Sequence, residues 1–205
     1  MQQRIKECLG FMSAAILVAA CSGETATGPV DAGLSLSSAR IASAPAPDRA
    51  TARYEIDFMK DMIDHHSMAL EMAGMCLEKD LEHPELKELC TDIVEAQEAE
   101  IGEMQAWLGA WYGVSYEPEM KTGDMKMMEK LAALEGEGFE VEFMQMMIKH
   151  HQKAIREGEQ CVKRAYHAEL GVLCGNIITA QTAEIALMRS WLCEWYGMCK
   201  KEETA

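Results

Sequence analysis

Every histidine in this 205-residue chain has a counterpart about 85 positions away: His65-His66 answers His150-His151, and His83 answers His167. The surroundings match in register. Residues 55–73 read EIDFMKDMIDHHSMALEMA and residues 140–158 read EVEFMQMMIKHHQKAIREG. Further on, Ala96-Gln97, Glu100-Ile101, Met104, Trp107-Leu108 and Trp111-Tyr112-Gly113 recur as Ala180-Gln181, Glu184-Ile185, Met188, Trp191-Leu192 and Trp195-Tyr196-Gly197. One unit is therefore present twice, and a fold that uses both copies alike has pseudo-two-fold symmetry, with a shared binding site expected where the matched side chains meet.

Within the unit the apolar spacing is helical. At about 100° per residue, Phe58, Met62, His65, His66, Ala69, Met72 and Ala73 fall on one side, and Asp57, Asp61, Asp64, Ser67 and Glu71 on the other. Glu55, Asp57 and Lys60 suit the start of this helix, whose pattern fades by Glu78. His83-Pro84-Glu85 opens a second helix, with proline at the first helical position, and Gly113 stops it after Tyr112. Its core face reads Leu86, Leu89, Ile93, Gln97, Glu100, Met104, Trp107, Leu108 and Trp111. Trp107, Trp111, Trp191 and Trp195 are read as the packed end of the bundle, and His83 and His167 as capping or surface residues. The prediction is an all-α, four-helix bundle made of two αα-hairpins, residues 53–113 and 139–199, joined by a crossover (114–138) with a short helix over residues 125–134.

The N-terminal segment is set apart by composition. Arg4 and Lys6 precede an uncharged run too short to span a bilayer, which has the layout of a secretory signal. It ends Leu17-Val18-Ala19-Ala20-Cys21-Ser22 and resembles the bacterial lipoprotein box, so residues 1–21 are expected to be a signal peptide and Cys21 the lipidated first residue. Residues 22–52 are rich in Ala, Ser, Thr, Pro and Gly and are expected to be a flexible tether. The predicted address is the bacterial cell envelope, facing the periplasm, with the lipid anchor the only membrane contact. A net charge of −15 excludes nucleic acid as a partner of the surface field and favours cations.

Export makes disulfides the default for the six remaining cysteines. Cys76 and Cys90 correspond to Cys161 and Cys174, each pair flanking the turn between two predicted helices. The pairing predicted is Cys76–Cys90, Cys161–Cys174 and Cys193–Cys199, the last without a twin.

Met59-x-x-Met62-x-x-His65-His66 and Met144-x-x-Met147-x-x-His150-His151 each place thioether and imidazole donors along roughly two turns of one helix face. Soft thioethers with imidazole select copper, above all Cu(I), whereas calcium or magnesium makes no use of methionine. Adjacent histidines point about 100° apart, so one of each pair binds or the two serve different ions. Gln97, Glu100, Gln181 and Glu184 lie at the centre of otherwise apolar faces; each buried Glu needs a partner, and the facing His is the obvious one. Direct ligation by Glu100 and Glu184 is the alternative, a carboxylate site for iron or manganese with oxidase or peroxidase activity, although the Glu-x-x-His spacing of that class is absent from the first helices. The crossover adds Met120, Met125, Met127 and Met128, and Met68, Met75 and Met198 are further thioethers able to take up Cu(I).

Phe-Met-x-x-Met-Ile-x-His-His followed by Gln-x-x-Glu-Ile-x-x-Met-x-x-Trp-Leu resembles the exported, ferritin-like proteins gathered as domain-of-unknown-function family 305. The likeness runs over residues 57–112 and 142–196. It implies a ferritin-like helical bundle in the periplasm, and copper binding as in some relatives. Position by position it points to His65, His66, His150, His151, Met59, Met62, Met144, Met147, Met104 and Met188. Asp61 and Asp64 become Met146 and Lys149 in the second copy, which makes the copies electrostatically unequal. The resulting expectation is a lipid-anchored protein that sequesters Cu(I) or passes it to a partner, with no turnover of its own.

Overall fold

The computed structural model describes residues 44–120 and 122–199. Among them are five helices and no strand: α1 (Arg49–Glu78), α2 (Pro84–Tyr112), α3 (Thr122–Ala132), α4 (Gly136–Arg164) and α5 (Ala168–Tyr196). The expected signal peptide, Cys21 and most of the expected tether lie outside the described residues. The tether's end does not: α1 begins at Arg49, before the expected start at residue 53, because Asp48 Oδ1 accepts from the Ala50 and Thr51 amides at 2.9 and 3.0 Å. At the other boundaries, Gly113 and Gly197 close α2 and α5 in the left-handed conformation with φ of 64° and 66°. The helix α4 starts at Gly136 rather than after Gly138, its first residue having a φ of +53° that side chains rarely adopt.

The helix α1 packs along α2, and α4 along α5; the two pairs meet mainly through α1 against α4, with α3 lying across both. The apolar stripes sort into two clusters. In one, Met72, Ala73, Leu86 and Ile93 near the first turn meet Phe139, Phe143, Met144 and Met188. In the other, Phe58, Met59, Met62 and Met104 meet Leu170, Leu173 and Ile177 near the second turn. The end of α1 thus faces the start of α4. Each fully buried Met or Leu removes enough apolar surface from water to contribute about 1.5–3 kcal/mol.

Disulfides join Cys76–Cys90, Cys161–Cys174 and Cys193–Cys199, as expected. The first two tie the helices on either side of each turn, and the third fastens the tail that follows Gly197.

Two kinds of residue, each with its twin, stand apart from the rest of their helices. Glu55, read as suiting a helix start, and its twin Glu140 have no exposed surface. His83 and His167 are N-cap residues without a side-chain cap hydrogen bond. They turn instead toward the other helix pair. Glu55 accepts from the Tyr166 and His167 amides at 2.6 and 2.9 Å, faces His167 Nδ1 at 2.6 Å and accepts from Tyr112 Oη. Glu140 does the same with the Glu82 and His83 amides, His83 Nδ1 at 2.7 Å and Tyr196 Oη. Each carboxylate therefore caps the N-terminus of a helix in the opposite pair, where its charge suits the helix dipole. The tryptophans complete these braces: the Trp111 ring stacks on His167 and that of Trp195 on His83, with centroids 3.7 and 3.9 Å apart.

Candidate metal centre

The two adjacent histidines of each repeat diverge, as their helical spacing requires. His66 and His151 point into their own helix pairs: His66 Nε2 lies 2.7 Å from Glu100 Oε2, and His151 Nε2 lies 2.5 Å from Glu184 Oε2. His65 and His150 point across the contact between α1 and α4, where their rings stack with centroids 3.5 Å apart. Within each repeat the neighbouring rings are about 6 Å apart, 6.2 Å for His65–His66 and 6.1 Å for His150–His151. Four imidazoles thus form a row through the middle of the molecule, between the two apolar clusters and ending on a carboxylate at each side.

His65 and His150 are 6% and 8% exposed, yet both ring nitrogens of each lack a hydrogen-bond partner among the described residues. Leaving a buried polar atom unpaired costs about 1–3 kcal/mol, so four such atoms on two touching rings need an explanation. Burial, followed by the neighbouring imidazoles, pushes His150 down to about 3, and the same causes lower His65. Both rings are therefore neutral at physiological pH, the state in which imidazole donates a lone pair to a metal.

The stacked pair opens on one side into a cavity of about 560 Å³ between α1, α3 and α4. Three thioethers line it with the imidazoles: Met68 from α1, Met127 from α3 and Met146 from α4. Its lining also carries Asp61, Glu119, Asp124, Glu142 and Glu157 beside Lys130, Lys149 and Lys153, an excess of carboxylates that attracts cations despite the lysines. Asp64, another lining residue, holds the crossover in place by accepting from Tyr116 Oη at 2.9 Å and from the Glu119 amide at 2.8 Å.

The predicted methionines are placed elsewhere. Met59, Met62 and Met104 are fully buried in one apolar cluster, and Met144, Met147 and Met188 in the other. Gln97 and Gln181 are buried one turn from Glu100 and Glu184, with unpaired side-chain atoms. Among the described residues, no group of three or more His, Cys, Asp or Glu side chains is gathered so that it could hold a metal ion. The residues singled out by the sequence thus divide into a central imidazole row and two thioether sets in the core, and the open cavity is completed by Met68, Met127 and Met146. Met68 and Met127 are among the further thioethers the sequence offers, whereas Met146, which stands opposite Asp61 in the repeat, is found only from the packing.

Solved structures with the same architecture carry the comparison further. CopM in its Cu(I)-bound form matches with a TM-score of 0.63 and 35% identity, over 70% of this chain and 98% of that one; Cu(II)-bound and Ag-bound forms of CopM match similarly. A DUF305 protein from Streptomyces coelicolor, whose name presents it as secreted, matches with a TM-score of 0.63 and 28% identity, over 74% of this chain and 98% of that one. A DUF305 fragment from Deinococcus radiodurans matches with a TM-score of 0.60 and 28% identity, over 69% and 96%. A comparison with curated proteins gave no match. The model of the domain of unknown function DUF305 covers residues 55–192, both repeats included, and the chain belongs to that family.

Proposed function

We propose that this is an exported copper-binding protein that holds Cu(I) between two helical hairpins arranged as a four-helix bundle, and sequesters the ion or passes it on. The observation that carries the reading is the stacked pair His65 and His150, buried, neutral and with unpaired ring nitrogens, at the wall of a cavity lined by three thioethers. Imidazole with thioether is a donor set for copper, and one that a hard cation does not select. CopM, similar in sequence and fold, binds Cu(I), Cu(II) and Ag.

In this reading His65 and His150 are the ligands, with Met68, Met127 and Met146 on the cavity side. His66 and His151, held by Glu100 and Glu184, stand behind them and tune the row. The buried Met59, Met62, Met104, Met144, Met147 and Met188 form its soft, water-excluding surroundings and are reserve donors if the row rearranges. Gln97 and Gln181 offer polar contacts to the second histidines. The iron or manganese alternative draws less support, because Glu100 and Glu184 each engage a histidine in a separate helix pair and do not gather into one carboxylate cluster. A lipid anchor at Cys21 facing the periplasm, and a partner that receives the ion, complete the proposal; the three disulfides suit an oxidising compartment.

Competition with a coloured Cu(I) chelator tests it. The double variant His65→Ala with His150→Ala is expected to lose more affinity than the roughly 10- to 100-fold typical of residues that only orient a ligand, and His66→Ala with His151→Ala to lose less. Wild-type affinity in the first double variant removes the stacked pair from the site.

A further inference from the structure

A second set of thioethers lies outside the central cavity. Between α1 and the crossover is a surface pocket of about 290 Å³ lined by Met75, Met120, Met125 and Met128, with Glu71 and Glu129 beside them. Packing accounts for Met128, which is 6% exposed and belongs to an apolar cluster. It does not account for Met120 and Met125, which are 38% and 44% exposed and bury little of their apolar surface. The spacing is purposeful in helical terms: Glu71 and Met75 share one face of α1, and Met125 and Met128 share one face of α3. Met127, next to Met128, lines the central cavity instead, so α3 presents thioethers to both sites.

We propose that this pocket is a separate binding site for a monovalent soft ion, Cu(I) or its analogue Ag(I), held by thioethers without imidazole. A thioether is neutral at every pH and polarisable, and it binds Cu(I) where Cu(II) prefers nitrogen and oxygen. The carboxylates of Glu71 and Glu129 offset the ion's charge without needing to touch it. The pocket therefore selects by oxidation state more sharply than the cavity, whose imidazoles also suit Cu(II). It also breaks the two-fold pattern of the fold, since the crossover occurs once. The proposal goes beyond the central copper site and stands or falls apart from it.

The test uses the full chain with its disulfides intact. Cu(I) stoichiometry is measured under ascorbate by chelator competition, and Cu(II) binding in air, for the wild type, for M75L/M120L/M125L/M128L and for H65A/H150A. The quadruple variant is expected to bind one Cu(I) fewer with an unchanged Cu(II) isotherm, and H65A/H150A to retain that equivalent. In wild-type protein labelled at the methionine methyl carbons, Ag(I) is expected to shift the signals of these four methionines, and to do so in H65A/H150A as well. Unmoved signals, or a folded quadruple variant that keeps its full Cu(I) count, overturn the proposal; the labelled wild type decides the matter should the quadruple variant not fold. Failure of the central site shows separately, as wild-type binding by H65A/H150A.

Discussion

A carboxylate with no exposed surface persists in the folded state only if its charge is met, and Glu55 and Glu140 meet theirs with a histidine and two amides from the other helix pair and a tyrosine from their own. Burial by itself raises the pKa of each; the hydrogen bonds from a tyrosine, a histidine ring and two backbone amides outweigh it and hold both below the ordinary carboxylate value. Glu55→Gln keeps the shape but loses the charge and turns an N–H₂ toward existing donors. It is expected to lower stability by about 3 kcal/mol, and Tyr112→Phe by about half that. Chemical denaturation measures both, and a Glu55→Gln midpoint equal to wild type would deny the brace its role. The sequence reading places Glu55 at a helix start and so misses its burial, although Glu55 shares a helix face with Met59, Met62 and His66 and has a twin in Glu140. The donors are not legible that way: the Glu55 and His167 side chains are 112 residues apart, and only the folded arrangement brings them together. The two histidines of each pair, by contrast, diverge as helical geometry says they must, and the contact between α1 and α4 decides which of them faces the shared interior.

At the scale of elements, helix type and order followed from the 3.6-residue periodicity, and the ends followed where capping chemistry was explicit. Pro84 and Gly113 mark α2 at both ends, whereas α1 begins earlier than its apolar pattern because Asp48 caps it. The short helix α3 covers residues 122–132 rather than 125–134, and Gly136 ends the turn after it. The repeat narrows the disulfide pairing, since Cys76 and Cys90 flank one turn as Cys161 and Cys174 flank its twin; Cys193–Cys199 has no twin and is the pair that remains. Their contributions are expected to differ with the chain each closes. Cys76–Cys90 and Cys193–Cys199 span separations of 14 and 6 residues. Chain entropy then gives about 3 kcal/mol for the first and about 2 kcal/mol for the second. Replacing each pair by alanine and comparing unfolding midpoints checks the order; a larger loss for the tail bridge would contradict it.

For the molecule as a whole, the repeat leads one to expect pseudo-symmetry, and the proposed site lies where the two copies meet but differ. The rings of His65 and His150 meet between the two copies, while the cavity beside them exists because α3 covers one side and Met146 stands where the first repeat has Asp61. The stacked, buried pair His65 and His150 also governs how the protein responds to acid. His65 and His150 have folded pKa values well below the ordinary 6.5, so below that value the unfolded chain takes up protons that the folded state refuses. Stability is therefore expected to be greatest above about pH 6.5 and to fall below it, by up to about 1.4 kcal/mol per pH unit for each histidine. Below the carboxylate value of 4.5, Glu55 and Glu140 add to the slope, because their folded pKa is depressed and their contribution is lost as they protonate. Glu157, raised by burial, works weakly in the opposite sense. Two stages of acid destabilisation should thus appear in denaturant midpoints measured across pH. His65→Ala with His150→Ala removes the first and leaves the second, and Glu55→Gln with Glu140→Gln does the reverse. A single transition governed by the carboxylates alone would mean that the stacked rings take up protons in the folded protein, and that the middle of the molecule is wetter than its packing implies.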